Sequence, residues 1–351
     1  MCDRYDSIET SHLTTTIPKL KGKSLMMADT FREFEAYASA IEDADLRLML
    51  PKLGQPRWEL CSFHLGEIHL QYGSEWSGII AEGASRSDGQ ILFVPLHGDY
   101  RTNGIPLENH SVFLIDAASE FTISVFKQHA WCSVYLPWHL LTGSSHEIEY
   151  LRASSARHQV TRLPSDEIAS TRRLLIQLQR MVRNQPSALT STFLSTLVRR
   201  EMVSLWRRLH TIACEPVSQT GRPLLHRNDL IRTVRQLIES QPNESLTIDD
   251  LVSATRVSER TLRSIFLEFY GLPPQRYLMI RRLNQAHATL RSADPETTTV
   301  TNIAARYGFW HFGRFAGAYG KLFGETPSAT LHARERTQES FWIGGSYVDV
   351  D

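Results

Sequence analysis

Two segments of the chain repeat one pattern, and this repeat constrains the fold more than any other feature of the sequence. The segments are LTIDDLVSATRVSERTLRSIFLEFYGLPP, residues 246–274, and TTVTNIAARYGFWHFGRFAGAYGKLFGETP, residues 298–327. Each has a short amphipathic stretch, a tight turn, a longer stretch with apolar residues at i, i+4 and i+8, and then glycine and proline. This order predicts two helix-turn-helix units, at about residues 247–270 and 300–323.

The ends of these elements carry the expected capping residues. Thr247 and Ser258 can cap the two helices of the first unit, because their hydroxyls accept hydrogen bonds from free backbone N–H groups. Gly271 and Gly324 suit helix C-termini, and the prolines that follow block continuation. Between the units, residues 275–292 are predicted to form one helix. Its apolar stripe is Met279, Leu283, Ala286 and Leu290.

The same residues resemble the AraC/XylS-type transcription regulators. The resemblance covers about residues 224–336 and depends on SERTLRSIFLEFYGLPPQRYLMIRRLNQAHATL and VTNIAARYGFWHFGRFAGAYGKLFGETPS. It implies that each unit inserts a helix into the major groove, on two successive turns of double-stranded DNA. It also implies an N-terminal effector-binding domain with a cupin-like barrel, often dimerising, and RNA polymerase as a partner. The chain departs from the family at Arg256, where glycine is usual, so the first turn is expected to be strained.

In the first unit, the predicted groove-facing side chains are Arg260, Arg263 and Ser264, which also match the base-contacting positions of the family. Arginine can donate two hydrogen bonds to guanine, and each such contact contributes about 1–3 kcal/mol of discrimination. Contact with phosphate or solvent is the alternative for either arginine.

In the second unit, the predicted groove-facing positions Phe312, Gly313 and Ala316 carry almost no polar side chain. This face cannot donate paired hydrogen bonds to bases, but it lets a helix backbone come close to DNA and touch thymine methyl groups. Arg314 lies at the flank, where phosphate contact is expected. The aromatic residues of the segment are assigned to the core: Phe309, Phe315, Tyr319 and Phe323.

Charge and composition agree with a DNA-binding protein without a membrane segment. The net charge is zero, but residues 1–150 hold 11 Lys+Arg against 20 Asp+Glu, whereas 151–223 hold 12 against 4 and 224–336 hold 15 against 11. A basic C-terminal part suits nucleic acid. The four cysteines are scattered without metal-type spacing, which favours the reduced cytoplasm and no metal site. No cofactor is expected.

The N-terminal half shows a different pattern. Residues 24–55 include an amphipathic stretch that predicts helix at least in part, and residues 58–137 alternate short apolar runs with turn residues. These runs predict an antiparallel sandwich or barrel with room for a small molecule. Several aromatic and polar residues are candidates to line this pocket, but the sequence does not determine which of them point inward: Trp58, His64, His69, Tyr72, Trp76, Phe93, His97 and Tyr100.

The predicted fold class is therefore α+β with two domains, a cupin-like barrel or sandwich with helices and an all-α domain of two helix-turn-helix units. The predicted parts are an effector-binding-like domain at 1–150, a helical pair at 151–213, a linker at 214–223, the DNA-binding domain at 224–336 and a tail at 337–351. The helical pair could pack on the barrel or dimerise.

The predicted function is sequence-specific transcription regulation, as an activator controlled by a small molecule. Two alternatives stay open at this point. One is a cupin-type barrel enzyme with an accessory DNA-binding module. The sequence has no GxSxG, phosphate-loop or HExxH motif, which argues against this alternative. The other is a DNA-binding protein that needs no effector.

Overall fold

The computed structural model describes residues 26–54, 56–141, 159–185, 187, 191–211, 224–241 and 246–333. The predicted linker 214–223 and tail 337–351 lie outside the described residues, as do residues 1–25 and 142–158. In the described part of the chain, no helix has the length and apolar character needed to cross a membrane.

The N-terminal half is built from antiparallel strands. They are β1 (Met26–Phe31), β2 (Ala44–Met49), β3 (Trp58–Leu65), β4 (Ile68–Glu75), β5 (Ile79–Ser85), β6 (Gly89–His97), β7 (Tyr100–Thr102), β8 (Ile105–Leu107), β9 (Ser111–Ile115), β10 (Glu120–Val125), β11 (His129–Pro137) and β12 (Gln159–Arg162). One sheet has the order β1-β3-β4-β11-β6-β9-β12 and the other β2-β5-β10-β7-β8. The two sheets do not close into one barrel, so the sandwich form of the prediction is the correct one.

The amphipathic stretch near the N-terminus is helical only in its first part. Helix α1 (Phe34–Ala40) confirms the prediction that the stretch is helical at least in part, and residues 44–49 form β2 instead. Strand β2 pairs with β5 over its whole length, from Ala44 opposite Ser85 to Met49 opposite Ile80. Sheet pairing therefore overrides the local helical pattern there.

The predicted helical pair packs on the seven-stranded sheet. After the short α2 (Trp138–Leu141), the pair consists of α3 (Ser165–Asn184) and α4 (Thr192–Thr211). Leu175 and Met202 join the core on one face of that sheet, and the Tyr72 hydroxyl donates to the Leu175 carbonyl oxygen at 3.0 Å. On α4, Phe193 and Leu197 are exposed. Dimerisation through the pair stays a prediction.

The C-terminal part is helical. Its helices are α5 (Leu224–Ser240), α6 (Ile248–Thr255), α7 (Glu259–Tyr270), α8 (Pro274–Ser292), α9 (Val300–Arg306), α10 (Phe312–Phe323) and α11 (Pro327–Leu331). Their apolar core also takes in Met49 and Ile80 from the five-stranded sheet. The helical part thus packs directly on the outer face of that sheet.

Candidate nucleic-acid interface and buried cavity

The first helix-turn-helix unit consists of α6, a turn and α7. The Thr247 hydroxyl accepts from the backbone N–H of Asp250, and the Asp250 carboxylate accepts from the backbone N–H of Thr247, which makes a complete capping box. Helix α6 ends at Thr255, and its C-cap residue, Arg256, has a left-handed backbone with φ of 55°. The strain expected at this position is therefore real, since side chains other than glycine disfavour this conformation.

Replacing Arg256 with glycine should raise the free energy of unfolding by about 1 kcal/mol, because glycine adopts the left-handed conformation without steric cost. Thermal or denaturant unfolding measures the change. Arg256→Ala is the matched control, since it removes the guanidinium but keeps the strain. Equal stability of the two variants would show that the side chain, and not the backbone, decides the effect.

Helix α7 is divided cleanly into a buried and an exposed face. Ser258 caps it by accepting from the backbone N–H of Thr261 at 3.2 Å. The buried face is Leu262, Ile265, Phe266, Phe269 and Tyr270. The predicted groove-facing residues Arg260, Arg263 and Ser264 are all exposed. They share one solvent-facing side of the helix and are free to meet a ligand outside the domain.

The second unit repeats this arrangement with one difference at the start of its second helix. Thr299 caps α9 through the backbone N–H of Asn302, and Gly308 turns the chain with φ of 75°. The sequence predicts that Trp310 and His311, just after this turn, begin the second helix, but α10 begins at Phe312, with His311 as its N-cap residue. The turn is thus longer than the sequence indicated.

Helix α10 presents a face almost without side chains. Its buried residues are Phe315, Tyr319 and Leu322, while Phe309 and Phe323 are partly buried beside them. All four predicted contact residues are exposed: Phe312, Gly313, Arg314 and Ala316. A Cβ atom built on Gly313 or Gly317 would meet nothing within 4 Å. Within the described part of the chain, no neighbouring atom therefore requires glycine at either position.

A cavity lies inside the sandwich, between the inner faces of the two sheets. Its volume is about 70 Å³. Apolar side chains of both sheets form most of its wall, including Leu48, Ile79, Ile91 and Ile123. Of the candidate lining residues, Phe93 and Tyr100 line this cavity, and the other six do not.

Polar groups gather at one end of the cavity around Glu75, which is 1% exposed. Its Oε1 accepts from the Tyr37 hydroxyl at 2.5 Å and from Trp131 Nε1 at 3.1 Å. Its Oε2 lies 3.3 Å from His129 Nε2 and makes no hydrogen bond of good geometry. The hydroxyl of Tyr100 is buried and also has no hydrogen-bond partner among the residues that the structure describes. Unsatisfied buried groups are costly, so a cavity with two of them is suited to a polar ligand atom.

Two histidines near the cavity, His64 and His69, have side chains of a type that can bind a metal ion. Gly66, with φ of 67°, turns the chain so that His64 and His69 are cross-strand partners. With Glu42 they bring potential ligand atoms within 4.8 Å of one another. However, the two rings are stacked in parallel at 3.9 Å, so their nitrogen lone pairs do not converge. His69 Nδ1 already lies 2.5 Å from Asp43 Oδ2, which favours a hydrogen-bonded cluster over coordination.

A third polar site joins the sandwich to the helical part. Glu82 of β5, 4% exposed, points out of the sandwich and accepts hydrogen bonds from the hydroxyls of Tyr270 and Tyr277 at 2.7 and 2.9 Å. Arg235 Nε and Arg281 Nη1 lie 3.3 and 3.4 Å from its two oxygens. Burial alone would raise the pKa of Glu82, but the two guanidinium groups and the hydroxyls lower it below its ordinary value.

These features define a helix-turn-helix protein with two capped units held by one connecting helix. A family model described as a helix-turn-helix domain matches residues 251–333. The C-terminal part of the chain is accordingly a helix-turn-helix domain, as the sequence resemblance indicated.

The relatives include transcription regulators. A probable thc operon regulatory protein of Rhodococcus erythropolis is 38% identical over 102 residues, which are 29% of this chain and 31% of that protein. XylDLEGF operon transcriptional activator 2 of Pseudomonas putida is 35% identical over 104 residues, 30% of this chain and 66% of that protein. The matched stretch thus spans about a third of the first relative and about two thirds of the second.

Among solved structures, that of the AraC-like transcriptional activator CuxR is similar over 76% of this chain and 96% of the CuxR chain. The TM-score is 0.40 and the sequence identity is 14%.

Proposed function

We propose that the protein is a sequence-specific DNA-binding transcription regulator, acting as an activator, whose DNA binding or activation is controlled by a small molecule in the sandwich cavity. The observation that carries this is the pair of helices α7 and α10, each with one buried face and one open face. Both helices lie within residues 251–333, which match a helix-turn-helix domain. The cytoplasm is the compartment where such a protein would meet DNA and RNA polymerase.

The two helix-turn-helix units contribute differently to DNA recognition. Arg260, Arg263 and Ser264 supply hydrogen bonds to bases, because they are the polar groups on the open face of α7. On α10, Gly313 and Ala316 let the backbone approach the groove, and Phe312 contacts thymine methyl groups. Arg314 binds phosphate. The first unit then sets most of the sequence preference, and the second adds anchoring and readout of shape.

Support for effector control comes from the five-stranded sheet, which separates the cavity from the helical part. Along β5, Ile79 and Ala81 line the cavity, whereas Ile80 and Glu82 contact the helices. Alternate residues of a strand point to opposite faces, so a change on one face is transmitted through one backbone.

Strand β10 has the same alternation. Phe121, Ile123 and Val125 line the cavity, while the Ser124 hydroxyl donates to the carbonyl oxygen of Phe269 in α7 at 3.0 Å. A ligand that shifts β5 or β10 would therefore shift a surface that supports the first predicted DNA-reading helix.

The test is operator binding by Arg263→Ala. We expect affinity for the preferred site to fall by about 1–3 kcal/mol, with preference lost at one base pair, as for removal of a paired arginine–guanine contact. Arg180→Ala on the exposed surface of α3 is the matched control and should bind as the unchanged protein does. Fluorescence anisotropy with single-base operator variants measures both. Unchanged affinity and base preference in Arg263→Ala would refute the assignment.

A further inference from the structure

We infer that the cavity of the sandwich binds a small apolar molecule whose polar head donates hydrogen bonds and carries no negative charge, namely an alkylamine or an alcohol. This inference rests on the proposed effector role of the cavity and specifies the ligand. The first observation that supports it is the set of charged residues in the cavity wall. Among the described residues that line the cavity there are two carboxylates, Glu42 and Glu75, one histidine and no lysine or arginine.

The histidine cannot replace the missing cation. His129 Nδ1 lies 3.0 Å from the carbonyl oxygen of Lys127, and since a carbonyl only accepts, this nitrogen carries a hydrogen. The other nitrogen, Nε2, faces Glu75 Oε2 at 3.3 Å. The imidazole therefore lies against Glu75, and it is not a free counter-charge for a ligand. An incoming carboxylate would find no free counter-charge and would face two acidic side chains.

The groups left open point to a donor. Glu75 Oε1 is occupied by Tyr37 and Trp131, but Oε2 lacks a hydrogen bond of good geometry, and a carboxylate oxygen can only accept when ionised. The hydroxyl of Tyr100, 3% exposed, can accept as well as donate and has no partner. Burial raises the pKa of Tyr100 well above its ordinary value, so the phenol keeps its proton. An ammonium or hydroxyl head satisfies both groups at once.

The size of the cavity limits the apolar part. At about 70 Å³ it has roughly half the volume of a cavity of about 150 Å³ that holds benzene, and several times the volume of about 10–15 Å³ that one water needs. An unbranched three-carbon chain, about half the size of benzene, is therefore a suitable probe. Propylamine, 1-propanol and propionate share that chain and differ in the head group.

The experiment measures binding of these three probes to the full chain by ligand-detected NMR and by thermal shift at millimolar concentration. We expect the amine and the alcohol to bind and propionate to bind at least about tenfold more weakly. Tyr100→Phe should weaken binding of the amine and the alcohol by about tenfold, the usual value of one hydrogen bond, and should leave the melting temperature unchanged because the hydroxyl has no protein partner.

Tyr72→Phe is the matched control, because its hydroxyl donates to Leu175 on the other side of the sheet. It should lower the melting temperature and leave probe binding unchanged. Propionate binding as tightly as the amine, no binding by any probe, or full binding by Tyr100→Phe would each overturn the inference. The DNA-binding role is judged separately by Arg263→Ala, which needs no ligand.

Discussion

Gly313→Leu is expected to lower operator affinity by about 100-fold or more while leaving the protein folded. A leucine side chain on the open face of α10 would hold the helix away from the groove and displace the whole second unit. A single mismatched base pair already costs about 1–3 kcal/mol of binding free energy, and displacing a whole unit should cost at least as much. Folding should not suffer, because a Cβ at this position meets nothing within 4 Å. The helix itself should gain about 1 kcal/mol from the loss of glycine.

Two controls separate close approach from other effects. Gly313→Ala adds a single methyl group and the same gain in helix propensity, so it should cost far less affinity than leucine. Ala288→Leu places the same bulk on an exposed position of α8 and should leave operator binding unchanged. Binding by anisotropy and stability by thermal unfolding are measured on each protein. Retained affinity in Gly313→Leu would mean that α10 does not enter the groove closely.

Glu82→Gln is expected to lower the free energy of unfolding by about 3–5 kcal/mol, the usual cost of leaving buried charges without their partner. The change keeps the size of the side chain and removes the charge that faces Arg235 and Arg281 at the junction. Glu239→Gln is the matched control at the same junction. Its ion pair with Arg47 is exposed, so the loss should stay below about 1 kcal/mol. Equal melting temperatures for Glu82→Gln and the unchanged protein would contradict the prediction.

The pH dependence of the free energy of unfolding at acidic pH gives a second measure of how much Glu82 contributes to stability. Its pKa is lowered in the folded protein, so its contribution is present above the unfolded-state value of about 4.3 and is lost as the pH falls through the folded-state value. The unchanged protein should lose stability over this acidic range more steeply than Glu82→Gln. Denaturant unfolding from neutral to acidic pH measures the difference.

The C-terminal helices could be predicted from sequence because their signals are local. Caps at Thr247 and Ser258, and glycine at the ends of α7 and α10, act within one or two turns of helix. Spacing alone then separated the buried from the exposed residues of both predicted DNA-reading helices. DNA contact by these exposed residues remains a prediction until binding is measured.

Residues at the junction could not be predicted, because their environment comes from distant parts of the chain. Met279 was placed in the apolar stripe of the connecting helix but is 36% exposed, while Arg281 beside it is 3% exposed. Helical periodicity cannot reveal that Glu82, 199 residues away, lies opposite Arg281. The only sequence signal was a single glutamate inside the apolar run IIAEGA. The polar end of the cavity depends in the same way on residues from separate strands.

The alternation along β5 and β10 also bears on how such a chain can change during evolution. Positions that shape the cavity, such as Ile79 and Ile123, are different residues from those that hold the helical part, such as Glu82 and Ser124. Substitutions at the first set can alter which molecule is sensed without rebuilding the junction. Chimeras that graft the cavity-facing residues of another regulator onto these strands, and keep the alternate residues, should therefore retain their attachment to the DNA-binding half.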